Sequence, residues 1–150
     1  MAEVPQSALH VPVPRLARRS MSWPRALLAW LAIVLAESVH GIIRQLFIAP
    51  VTGDLRARQL GVAVGSAIIF AIAWLSVRWI GARSPREQLR VGLAWVALIV
   101  VFEASVGTAL GYTRQRMLED YDVTRGGFMG FGLLFMFFAP ALAAKLRGFE

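Results

Sequence analysis

Four apolar runs of similar length constrain the fold of this chain more than any other feature. They lie at residues 26–47, 60–80, 91–112 and 127–144. Each run is close to the ~20 residues that an α-helix needs to cross a bilayer. Backbone polar groups in lipid must be hydrogen-bonded internally, and the alternation typical of barrel strands is absent, so we expect helices. The runs therefore predict an all-α, polytopic membrane protein with four transmembrane helices.

The basic residues concentrate in the segments on one predicted side of the membrane. The chain carries 16 Lys and Arg against 9 Asp and Glu. Many of the basic residues precede the first run, separate the second from the third, or follow the fourth: Arg15, Arg18, Arg19, Arg25, Arg78, Arg83, Arg86, Arg90, Lys145 and Arg147. The positive-inside rule explains this bias without a nucleic-acid partner. We expect a multi-pass protein of the bacterial inner membrane, with both termini in the cytoplasm and the lipid bilayer as its surroundings.

Two regions follow from this pattern. Residues 1–22 are predicted to be a cytoplasmic, disordered tail, and residues 23–147 the four-helix transmembrane domain. A cleaved signal peptide is disfavoured because the first apolar run continues past Glu37.

The chain has no cysteine, so disulfides and thiolate metal sites are excluded. Tyr112 and Tyr121 are expected to anchor the headgroup region on the side opposite the termini.

The first run contains ionisable residues that a lipid-facing helix would avoid. Glu37, His40 and Arg44 are spaced so that they share one helix face. Ionisable groups at membrane depth usually face a bundle interior or a watery cavity. This face is therefore the predicted polar core of the bundle.

A second acid, Glu103, lies in the third run. Shifting the chain so that Glu37 falls on Glu103 also aligns Gly41 with Gly107. At 1.5 Å per helical residue, both acids lie about 18–20 Å into the membrane, measured from the same side. These matches predict two related helical hairpins, arranged as a parallel repeat.

Small residues in the later runs predict close helix packing. GxxxG spacing lets helix backbones approach each other, although the motif is common. The expected packing positions are Gly61, Gly65, Gly107, Gly111, Gly127 and Gly130.

Four interpretations compete for the Glu37, His40, Arg44 and Glu103 cluster. The first and favoured one is structural, with Arg44 neutralising an acid and His40 bridging by a hydrogen bond. In the second, the two acids bind protons or a cation on a transport path, which would require a homo-oligomer because four helices are few.

The remaining interpretations involve chemistry at the same cluster. A Glu-x-x-His motif can contribute to a dimetal site, but a second motif is needed and Val106 stands where its histidine would fall. No metal or other cofactor is therefore predicted. Acid–base catalysis by Glu37 and His40 lacks any accompanying catalytic motif, so we expect a protein that is not an enzyme.

The predicted function follows from this ranking. We expect a small accessory subunit of a membrane complex that contains a buried Glu/His/Arg cluster. The alternative is a homo-oligomeric transporter or channel for a cation or protons that uses Glu37 and Glu103. The charged residues of the connections opposite the termini are expected to pair across the two hairpins; the alternative is a mouth that attracts anions.

Overall fold

The computed structural model describes residues 20–149, and all regular secondary structure in this range is helical. The elements are α1 (Trp23–Ile43), a π-helical segment (Arg44–Ile48), α2 (Ala49–Thr52), α3 (Asp54–Ile80), α4 (Pro85–Ala109), α5 (Arg114–Glu119), a 3-10 turn (Val123–Arg125) and α6 (Met129–Leu146). Four stretches are long and apolar enough to span a membrane: Trp23–Thr52, Asp54–Ile80, Pro85–Ala109 and Met129–Leu146. The all-helical class is confirmed, as is the presence of four helices that are long and apolar enough to span a membrane. The predicted disordered tail lies, up to residue 19, outside the described residues.

The first spanning helix continues past its predicted end at residue 47, because a π-helical turn accommodates Pro50. In a regular helix, proline lacks the N–H donor and its ring collides with the carbonyl four residues earlier. Here the wider turn begins at Arg44, and the N–H of Ala49 donates to the Arg44 carbonyl oxygen. The helix then runs to Thr52 and stops at Gly53, whose φ of 84° suits glycine.

Hydrogen bonds between distant segments identify the two ends of the bundle. The Ser22 N–H donates to the Ile80 carbonyl over 2.9 Å, and Arg78 Nη2 donates to the Arg147 carbonyl over 2.8 Å. The two ends of the described chain and the α3–α4 connection therefore share one end, here called the terminal end. The turn at Gly53 and the 110–128 connection form the opposite end, here called the loop end.

The terminal half of the bundle is tightly packed. Its buried core includes Ala26, Ala29, Ile33, Ala73, Val77, Ile80, Val91, Trp95, Ala139, Ala143 and Ala144. Trp95 is fully buried, and its Nε1 donates to the Ala26 carbonyl over 2.9 Å. At Gly92, α4 lies so close to α6 that a Cβ atom would collide with the Phe137 carbonyl oxygen. Helix backbones are thus in direct contact in this half.

The helices follow one another around the bundle in the order α1, α3, α6, α4. α1 packs on α3, α3 on α6 and α6 on α4, whereas α1 and α4 contact each other sparsely. Each hairpin, α1 with α3 and α4 with α6, is a pair of antiparallel neighbours, and α3 and α6 join the two. The repetition of one hairpin by the other stays a prediction. The sparse α1–α4 contact leaves space in the loop half.

Candidate functional site

A cavity of about 750 Å³ occupies the loop half of the bundle. Glu37, His40 and Arg44 line it from the first spanning helix, and Glu103 lines it from α4. Its apolar wall includes Ile69, Ile99, Phe102, Leu133 and Met136. The structure therefore brings the four residues of the predicted polar core into one compartment with largely apolar walls.

Glu37 and His40 form one pair in this cavity. His40 Nδ1 lies 3.4 Å from Glu37 Oε2, and the two side chains are 13% and 26% exposed, respectively. Gly65 of α3 makes room for the carboxylate, because a Cβ atom there would lie 2.9 Å from Glu37 Oε2. The second carboxylate oxygen, Oε1, and the second ring nitrogen, Nε2, are both buried without a hydrogen-bond partner. One carboxylate oxygen and one ring nitrogen are thus available to an incoming proton or ligand.

Glu103 pairs with a residue that sequence reasoning assigned to the headgroup region. The Tyr121 hydroxyl donates to Glu103 Oε2 over 3.3 Å. Burial, reinforced by the negative charge of Glu103, raises the pKa of Tyr121 to about 12, so the phenol keeps its proton at neutral pH. Only the folding of the 110–128 connection brings Tyr121 to this acid, so no sequence pattern could have identified it.

Arg44 contributes a guanidinium group that has no acidic partner. Gly61 of α3 provides its space, since a Cβ atom there would lie 2.8 Å from Arg44 Cδ. Arg44 Nη1 is buried and donates no hydrogen bond to any group within residues 20–149. Across residues 20–149, the recorded ion pairs do not include Arg44. The expected neutralisation of an acid by direct contact with Arg44 is therefore absent from the described part of the chain.

Ion pairs between the two hairpins lie at the mouth of the cavity. Arg58 Nη1 of α3 lies 2.5 Å from Asp120 Oδ1, and Arg58 Nε lies 3.3 Å from Asp54 Oδ2. Arg116 Nη1 lies 3.6 Å from the same Asp120 oxygen and 3.5 Å from Glu119 Oε2. The expected pairing of loop charges across the hairpins is present at Arg58 and Asp120.

The glycines expected to pack helices serve several purposes. Gly61 and Gly65 make room for side chains, Gly107 faces the Met117 sulfur, and Gly127 faces backbone carbonyl oxygens of the 110–128 connection. Gly130 has open space beside it. Gly111 lies beyond the end of α4, in a turn with a φ of 75°, so its predicted place within the helix was wrong. The glycine that does bring two helix backbones together, Gly92, was not identified from the sequence.

The arrangement can exchange protons, because two carboxylates and an imidazole line one mostly apolar cavity. Among residues 20–149, no group of three or more His, Cys, Asp or Glu side chains could hold a metal ion. Comparison of the chain with protein-family models, with curated proteins and with solved structures finds no match.

Proposed function

We propose that this membrane protein binds protons at Glu37, His40 and Glu103 and moves them across the bilayer. One observation carries the proposal: carboxylates from α1 and α4 line one cavity in the loop half, while the terminal half is closed by a packed core. Such a one-sided compartment is suited to loading from one face. Release on the other face would require the packed half to open.

The chemistry of the cavity supports this role. His40 Nδ1 lies 3.4 Å from Glu37 Oε2, which is close enough for a proton to pass between the two side chains. Tyr121 gives Glu103 a hydrogen bond that holds the carboxyl group in one orientation. Acidic residues buried in membrane helices commonly mark proton and ion paths. Since four helices are few for a complete path, the transporting unit in this proposal is a homo-oligomer.

Proton flux into liposomes tests the proposal directly. The purified chain is reconstituted with a pH-sensitive dye inside the vesicles, and a pH gradient is imposed with and without Na⁺ or K⁺. Glu37→Gln and Glu103→Gln should each slow the wild-type flux at least about tenfold, because each removes a proton-binding group. Glu119→Gln is the matched control, since Glu119 pairs with Arg116 at the loop end outside the cavity lining. Absence of flux with the wild-type protein, or flux as fast as wild type in both cavity variants, would contradict the proposal.

An accessory subunit of a larger membrane complex is the other predicted role. It would be supported if a stoichiometric partner co-purified in mild detergent and Glu37→Gln left the function of that complex intact. No contact within residues 20–149 favours a protein partner over lipid, so this role stays a prediction.

The proposed orientation has the terminal end in the cytoplasm of a bacterial inner membrane. Basic residues near that end support it: Arg78, Arg83, Arg86, Arg90, Lys145 and Arg147. Because the chain lacks cysteine, single cysteines can report sidedness. In intact spheroplasts, an impermeant maleimide should label Val123→Cys and spare Ser20→Cys; the reverse pattern would invert the orientation.

A further inference from the structure

Arg44 is a half-buried cation, and its Nη1 atom has no hydrogen-bond partner among residues 20–149. Its Nη1 atom is inaccessible to solvent and makes no hydrogen bond, although its side chain lines the cavity. A charged group removed from water is strongly unfavourable unless it is paired and hydrogen-bonded. The glycine at position 61 keeps the space for this guanidinium open. An anionic group in the cavity would supply the missing partner.

The arginines at the mouth differ from Arg44 in what lies beside them. Arg58 contacts Asp54 and Asp120, and Arg116 contacts Glu119 and Asp120. Arg114 also lines the cavity but is exposed to solvent. An anion inside the cavity would therefore meet at Arg44 a guanidinium group with no acid beside it among residues 20–149. Glu37 lies about 10 Å away along the same helix, and its Oε1 has no hydrogen-bond partner.

The cavity is also open on its membrane-facing side. Val100 and Val106 of α4 line it, yet each is 40% exposed. α1 and α4 touch only sparsely, so the gap between them connects the polar groups with the lipid-facing surface. An apolar chain could lie in this gap while a polar headgroup stays inside. A volume of about 750 Å³ can hold a headgroup and the first part of a chain.

We infer that the cavity binds a zwitterionic lipid-like amphiphile through the α1–α4 gap. The acidic group, a phosphate or carboxylate, bonds to the Arg44 guanidinium, and the ammonium group lies toward Glu37 and Glu103. The apolar tail extends between α1 and α4 into the bilayer. The placement of the ammonium group depends on the proposed function, in which Glu37 and Glu103 bind a positive charge. The bond between the acidic group and Arg44 does not depend on it.

Lipid titration of the delipidated, full-length protein in detergent tests both halves without any ion gradient. The probes are phosphatidylethanolamine, phosphatidylglycerol and phosphatidylcholine with identical acyl chains, and bound lipid is counted by native mass spectrometry. Wild-type protein should prefer phosphatidylethanolamine, because its primary ammonium can donate hydrogen bonds to carboxylates. Arg44→Gln should weaken binding of both phosphatidylethanolamine and phosphatidylglycerol at least about tenfold. Glu103→Gln should abolish the preference by weakening phosphatidylethanolamine and strengthening phosphatidylglycerol.

Two controls separate this site from general lipid contact and from a structural role of Arg44. Arg125→Gln removes a charge from the same end at a residue outside the cavity lining, and its lipid binding should match wild type. Without lipid, Arg44→Gln should melt no lower than wild type, since no hydrogen bond or ion pair within residues 20–149 is lost, but it should lose the rise in Tm that added lipid produces. Arg44→Lys should restore part of that rise.

The opposite results overturn the inference. Lipid binding that is equal in wild type and Arg44→Gln would mean that bound lipids sit on the outer surface only. A lower Tm for lipid-free Arg44→Gln would mean that the guanidinium stabilises the fold. Because this titration needs no transport, absence of proton flux in liposomes would contradict the proposed function but would not affect the result for Arg44.

Discussion

In the terminal half of the bundle, Gly92 lets α4 approach the backbone of α6, whereas in the loop half Gly61 and Gly65 make room for Arg44 and Glu37. All three glycines lie inside long apolar helices. The difference lies in what occupies the space beside them. A backbone carbonyl oxygen lies beside Gly92, whereas flexible charged side chains lie beside Gly61 and Gly65.

This contrast shows how one small bundle can combine rigidity with a polar interior. The packed half supplies buried apolar area and close backbone contact, which stabilise helices in lipid through van der Waals packing. The hollow half can then tolerate ionisable groups, because they face a cavity rather than the lipid chains. Each prediction below changes one half and uses a matched position as its control.

The largest effect is expected from Gly92→Ala. The new methyl group would collide with the Phe137 carbonyl, and backbone atoms cannot move away as a side chain can. We expect a loss of about 3 kcal/mol in unfolding free energy, measured by denaturant titration in detergent micelles. Gly130→Ala is the control; with open space beside it, it should gain up to about 1 kcal/mol from helix propensity. If Gly92→Ala were as stable as wild type, the close backbone contact between α4 and α6 in the terminal half would be contradicted.

A smaller loss is expected from Trp95→Phe in the same half. The substitution deletes the bond from Nε1 to the Ala26 carbonyl and leaves a small void in the core. The expected loss is about 1–3 kcal/mol in the same titration. Trp79, which is 47% exposed, provides the control: Trp79→Phe should change stability by no more than about 0.5 kcal/mol. Equal effects at the two positions would argue against a tightly packed terminal half.

Tyr121→Phe tests the hydrogen bond to Glu103 in the hollow half. We expect a loss of about 0.5–1.5 kcal/mol, since a single hydrogen bond is removed and little volume changes. The folded-state pKa of Tyr121 is raised from 10.0 to about 12. The contribution of this phenol to stability is therefore complete below pH 10 and is lost as pH rises toward 12. Ultraviolet difference titration of wild type against Tyr121→Phe should show the phenolate near pH 12.

Removing the neighbouring acid sharpens this result. Glu103→Gln should lower the pKa of Tyr121, because the negative charge of Glu103 helps to raise it, but burial should keep the pKa above 10. An unchanged titration would show that the two side chains do not meet.

The smallest change in stability is expected from Gly65→Ala, the counterpart of the Gly92 substitution. Here the added methyl would meet only the carboxylate of Glu37, which can swing into the cavity. Unfolding free energy should stay within about 0.5 kcal/mol of wild type. Proton flux should nevertheless fall several-fold, because Glu37 would leave its position beside His40. A stability loss as large as that of Gly92→Ala would show that both halves are packed alike.

Much of the architecture could be predicted from the sequence, because apolar length and the demand for internal hydrogen bonds leave helices as the main solution. The shared face of Glu37, His40 and Arg44 followed from helix periodicity in the same way. The end of the first helix was predicted wrongly. A helix was expected to end before Pro50, whereas the chain forms a π-helical turn and continues to Thr52. Tyr121 was missed because its neighbour Glu103 becomes adjacent only when the 110–128 connection folds back.

The sequence by itself therefore determined which segments are helical, that each is long enough to cross a bilayer, and which face of the first helix carries charge, since these depend on local pattern. The tertiary structure alone decided that α4 meets α6 at Gly92, that α1 and α4 stay apart in the loop half, and that Arg44 has no acidic partner among residues 20–149. Those outcomes depend on how helix surfaces fit together. The shape of that fit arises from many weak contacts between distant residues, and no single motif encodes it.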